Sequence, residues 1–183
     1  MKKLYTRLFA NPMWRAFVGG LVIIALVGIF RTREYLGLGI PLLQKAFEAP
    51  VAHLAFLWKT IFTALTLGAG YLGGEVTPLF VVGATMGNSL ADLLGLSAPF
   101  LAALGLIAVF SGATNTPLAC FIMGIELFGS EGIIYMFMAC IVSYLFSGHS
   151  GIYASQRIGL SKSRGHIVPE GATLGSMKVK DKP

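Results

Sequence analysis

Charge is scarce in this sequence. Only 12% of its 183 residues are Asp, Glu, Lys or Arg, against roughly a quarter in soluble domains. With 55% hydrophobic residues and a mean hydropathy of +0.75, that deficit excludes an ordinary soluble domain and points to a polytopic membrane protein. Cysteine is nearly absent. Cys120 and Cys140 sit in apolar stretches without a Cys or His at ligand spacing, so they read as small buried hydrophobes, with no metal or other cofactor implied. Catalytic signatures are missing too: Ser147-Gly148-His149 has no third partner in view and no phosphate motif appears, so an enzyme is not expected. Residues 2–12 are mixed and polar, unlike a cleavable leader. The net charge of +6 is not spread as a nucleic-acid patch. Basic residues gather at Lys2, Lys3, Arg7 and Arg15, and again from Arg157 through Lys182. This is the distribution of cytoplasmic flanks, and it predicts a multi-pass protein of the cell membrane with a cytoplasmic C-terminus and no nucleic-acid partner.

Long unbroken apolar runs are also few. A membrane-spanning helix needs about 20 apolar residues, and most apolar segments here are interrupted sooner. Residues 1–15 read as an interfacial lead-in anchored by Tyr5, Arg7, Trp14 and Arg15, followed by an apolar segment from Ala16 to Phe30. Tyr35 to Pro50 reads as a short non-spanning helix. Val51 to Leu72 is long enough to cross but carries Lys59, which at mid-membrane costs several kcal/mol unless it faces protein, water or the interface. Helices are predicted from Pro78 to Leu94, from Ser97 to about Phe110, from Pro117 to Phe128, from Gly132 to Phe146 and from Ile152 to Ile158. Ser111 to Pro117 is read as a second break, and 161–183 as a flexible tail. Broken helices at membrane depth are tolerated only around a protein-enclosed cavity, the habit of channels and secondary transporters.

The stretch around which this pattern turns is Gly73-Gly74-Glu75-Val76-Thr77-Pro78. The glycines let the backbone turn, Thr77 suits an N-cap and Pro78 the first helical position. The start of the ensuing helix is a partly positive, donor-rich end, suited within a membrane to a dehydrated anion.

These residues resemble the second half of the CLC chloride channel and antiporter family. The resemblance rests on Lys59, Thr63 and Thr66 followed by Gly73-Gly74-Glu75-Val76-Thr77-Pro78. It continues through Leu104 to Ala113 and Thr116-Pro117-Leu118-Ala119, with Glu126 about nine positions further on. Tyr153 stands where the family keeps its ion-coordinating tyrosine. The resemblance covers roughly residues 14–160, with 16–160 read as the CLC-type transmembrane half. The family's usual loop has a hydrophobic residue and Phe where this chain has Glu75 and Val76; Glu-Val-Thr-Pro instead resembles the fluoride-exporting branch. No Gly-Arg-Glu-Gly-Pro stretch, which belongs to the family's N-terminal half, is present. The resemblance thus implies an all-α fold of short, broken, tilted helices, one inverted-repeat half of a CLC-type transporter, present as a fragment or as one piece of a split protein.

What the resemblance implies for chemistry is anion transport, with fluoride exchanged for protons. Backbone amides of Glu75 and Val76, the Thr77 hydroxyl and the Tyr153 phenol are the expected anion donors. Glu75 is the expected proton-coupling group, because a carboxylate beside a bound anion is favoured in its protonated form. Each residue has a plainer alternative: Glu75 tied to Lys59, Thr77 a helix cap only, Tyr153 an interfacial aromatic. Asn115 and Glu126 read as structural, Phe80 and Phe110 as core. Expected partners are fluoride or chloride, protons, membrane lipid, an N-terminal CLC half and a second copy, with Ala119, Gly124, Gly129, Gly132 and Ala139 compatible with close packing in a homodimer. A chloride channel or chloride/proton antiporter is the alternative of the same fold; a non-transporting membrane fragment or regulatory subunit is that of another class.

Overall fold

The structure, a computed structural model, describes residues 11–158, 162 and 171–176. The basic N-terminal residues Lys2, Lys3 and Arg7, and most of the 161–183 stretch, lie outside the described residues. The described chain is helical, with helices α1 (Pro12–Phe30), α2 (Ile40–Glu48), α3 (Ala55–Ala69), α4 (Val76–Leu94), α5 (Ala98–Thr114), α6 (Pro117–Phe128) and α7 (Ile133–Phe146). It divides into two compact units, residues 1–102 and 103–183.

Helix boundaries follow local chemistry. The Asn11 side chain accepts from the Met13 amide at 3.0 Å and Pro12 occupies the first turn, so α1 starts at Pro12 rather than Ala16. Helices α3 and α4 end on Gly70 and Gly95, both left-handed, as C-capping requires. Among the described residues, only α1 is long and apolar enough to cross a membrane alone; α3, α5, α6 and α7 are apolar but shorter.

The first unit packs α1 on α3, α3 on α4 and α2 on α4. Its core stripe on α4 is Val81, Ala84, Thr85, Asn88 and Ala91, a spacing that keeps one helical face inward. Asn88 is 3% exposed. It accepts from the Val51 amide at 3.0 Å and donates to the Ala46 and Ala49 carbonyls at 2.8 and 3.0 Å, so it caps α2 from another helix. Lys59 is fully buried, its Nζ donating to the Tyr35 and Gly37 carbonyls at 3.1 and 2.7 Å. Of the three surroundings left open for it, protein, water or the interface, it has protein, and its partners are carbonyls, not Glu75.

In the second unit α6 and α7 pack as neighbours. The Ser111 hydroxyl donates to the Cys140 carbonyl at 2.9 Å and Ser143 to the Ala108 carbonyl at 2.6 Å. Polar side chains here join α5 to α7 instead of breaking the helix, so α5 runs on to Thr114 and the break shrinks to Asn115–Thr116. Gly124 faces inward against Ile107 and Met136. Cys120 and Cys140 are buried free thiols.

Two further expectations are corrected. Ile152 to Ile158 is not a helix: it turns after Tyr153, and Arg157 pairs antiparallel with Thr173. Backbone bonds to residues 172–175 take the groups that a helix would have used. Within the stretch read as a flexible tail, residues 171–176 are packed, with Leu174 4% exposed.

Candidate anion-binding site

The Gly70–Gly74 loop before α4 is held from α1. Arg15 Nε donates to the Ala69 carbonyl at 3.2 Å, and the Tyr71 hydroxyl to the Ala16 carbonyl at 3.0 Å. These contacts, 54 and 55 residues apart in sequence, fix where α4 begins. That helix opens two residues earlier than Thr77 suggests, with Glu75 as N-cap residue, Val76 first and Thr77 second. Thr77 is therefore not the cap. Proline lacks only an amide that no helix uses in its first turn, so Pro78 is as acceptable at the third position as at the first.

The amides of Glu75, Val76 and Thr77 consequently have no acceptor within the helix. They sit at the positive end of a helix 19 residues long. Val76 and Thr77 are half-buried and Glu75 is exposed. Thr60, Thr66, Thr85 and Thr114 each donate to the carbonyl four residues back. Thr77 has no helical carbonyl at that offset, since Gly73 precedes the helix, so its hydroxyl is not consumed in this way.

Two recesses flank the loop. One, of about 530 Å³, is lined by Glu75, Gly73, Tyr71 and Arg15. The other, of about 180 Å³, is lined by Gly74, Pro78, Thr63, Thr66 and Tyr35. Burial, and then the Glu34 charge, push the Tyr35 phenol above its usual value. Glu75 thus shares a recess with a guanidinium that sequence reading assigned to the interface; only the fold brings Arg15 to the loop.

Tyr153 belongs to the second unit and is 46% exposed. The backbone before it is tied to α5 and the α5–α6 break: Ile152 N donates to the Ala113 carbonyl at 2.9 Å, and Asn115 Nδ2 to the Ser150 carbonyl at 2.8 Å. Asn115, read from the sequence as structural, holds this turn. No group of His, Cys, Asp or Glu side chains among the described residues is arranged to bind a metal.

Short helices interrupted at Gly70–Gly74 and Asn115–Thr116 define a polytopic helical membrane protein. Residues 1–148 match the family described as Voltage gated chloride channel. The chain belongs to that family. It is 47% identical over 178 residues to a chloride/fluoride channel protein of Pseudomonas syringae pv. tomato, covering 94% of this chain and 39% of that protein. An uncharacterised protein of Methanocaldococcus jannaschii is 30% identical over 135 residues, 71% of this chain and 33% of the relative. The crystal structure of a CLC-type fluoride/proton antiporter superposes with a TM-score of 0.79 at 38% identity, covering 83% of this chain and 39% of that one. The fold class expected from the sequence holds, and the chain spans about two fifths of the length of the relatives it matches most fully.

Proposed function

We propose that this chain supplies the C-terminal part of the anion pathway of a fluoride/proton antiporter. The observation that carries the reading is the start of α4, where Val76 and Thr77 present unused amides and a hydroxyl beside Glu75. A small, strongly hydrated anion needs several such donors to replace its water. Glu75 adds the coupling. With fluoride bound next to it, its carboxylate is repelled, so whether Glu75 holds a proton is linked to whether the anion site is filled, as a proton-coupled cycle requires. Tyr153 is assigned a phenolic donor to the anion on the family resemblance alone. The similar structure of a fluoride/proton antiporter supports fluoride over chloride, while the relative named a chloride/fluoride channel protein is compatible with either ion.

In this reading the protein lies in the cell membrane with its C-terminus cytoplasmic, works as a homodimer and requires an N-terminal CLC half. The test is fluoride and chloride efflux from liposomes containing the chain joined to such a half. Fluoride should leave much faster than chloride, and Thr77→Val should cut the preference about tenfold, the worth of one hydrogen bond to an anion. Equal rates for the two ions would place the protein with chloride carriers. Efflux of either ion by the chain alone would refute its role as part of a larger pathway.

A further inference from the structure

The chain beyond Tyr153 doubles back and grips the turn that carries it. The Gln156 amide donates to the Tyr153 carbonyl at 3.1 Å. Leu174 N donates to Gln156 O at 3.0 Å, Gly175 N to Ala154 O at 2.8 Å, and Ile158 N to Ala172 O at 2.9 Å. The Leu174 side chain fills the space over Gly151, where an added Cβ would stand 2.8 Å from Leu174 Cδ1 and 2.6 Å from Asn115 Nδ2.

Lys162 is tied to the same turn indirectly, through Asn115. Its ammonium donates to the Tyr144 carbonyl at 2.7 Å, to the Ser147 hydroxyl at 2.9 Å and to Asn115 Oδ1. It also lies 3.6 Å from the centroid of the Tyr144 ring. Those acceptors saturate its N–H groups. They also place a positive charge at the C-terminal end of α7, where the helix dipole favours it. Asn115, at a left-handed φ of 57°, passes the tie on through Nδ2 to the Ser150 carbonyl.

We propose that Lys162 and the 172–175 return form a clasp that sets where Tyr153 stands, with Lys162 and Asn115 as positioning residues. The inference rests on reading Tyr153 as an anion ligand. Lys162 is not itself a ligand, because its donors are spent.

The test uses the chain joined to a CLC N-terminal half, with Lys162→Met, Lys162→Arg, Tyr153→Phe and the Lys162→Met/Tyr153→Phe double variant. Lys162→Met should slow fluoride efflux about tenfold when Tyr153 is present, the scale of a small misplacement of a reacting group. With Tyr153→Phe, already slow, it should change the rate less than about twofold, since the coupling partner is gone. Lys162→Arg should recover most of the rate. A loss of equal size in both backgrounds, or none in either, overturns the clasp. If Tyr153→Phe leaves efflux unchanged, the ligand reading fails instead. The clasp then stands or falls on a separate measurement, the maleimide reactivity of Tyr153→Cys: it should rise with Lys162→Met, and unchanged reactivity refutes the clasp.

Discussion

Three buried or half-buried polar residues, Lys59, Asn88 and Lys162, spend their donors mainly on backbone carbonyls. Their value is the satisfaction of groups that would otherwise be buried unpaired. Lys59→Met keeps the volume but strands the Tyr35 and Gly37 carbonyls, and should lower stability in detergent by about 2 kcal/mol. Lys162 has a pH signature. Burial lowers its pKa from 10.5 to about 8. Below pH 8 both folded and unfolded chains hold the proton, and the folded state bears the full cost of burying the charge. Between 8 and 10.5 the unfolded chain binds more protons, so stability rises with pH. The groups around the ammonium are Asn115, Tyr144 and Ser147, with the His149 imidazole on the Lys162 amide. The melting temperature of wild type minus Lys162→Met should therefore climb from pH 7 to pH 10; a flat difference contradicts the assignment. The burial of Cys120 and Cys140 was legible in the sequence, because apolar neighbours decide it. The partners of Lys59 and Asn88 were not, because they lie 22 to 42 residues away.

Helix interruptions were readable, their edges less so. Gly, Pro and Asn mark a turn of chain, but Pro78 fits any place in a first turn, which is why Thr77 looked like a cap and proved to be the second helical residue. Ser111 and Thr114 looked like a break, yet their hydroxyls bond to the Cys140 and Phe110 carbonyls and the helix continues. The last predicted helix failed for the opposite reason: its backbone partners are the 172–175 stretch, which no local pattern reveals. Close helix contact also depends on single positions. A Cβ on Gly87 of α4 would overlap the Leu101 carbonyl of α5. Gly87→Ala should thus push the two helices apart and cost about 1–3 kcal/mol despite its better helix propensity, as thermal unfolding would show.

Across the whole molecule, α1 leaves apolar side chains such as Phe17, Leu21, Ile24 and Ile29 exposed, and α7 does so with Ile134, Met138 and Phe146. Lipid, a second copy and the remainder of the transporter are the surfaces proposed to cover them, in keeping with a chain that spans 39% of its antiporter neighbour. The family was legible because Gly73 to Pro78 is contiguous. The surroundings of Tyr153 and the approach of Arg15 to the α4 loop were not, since both are products of folding. In the proposed cycle fluoride and protons move in exchange through Glu75. The most direct measurement loads fluoride into liposomes bearing the chain joined to a CLC N-terminal half and follows external pH. Outward fluoride flow should draw protons inward against their own gradient, and Glu75→Gln should abolish that uptake. Fluoride flow in the wild type without any proton movement would contradict the account.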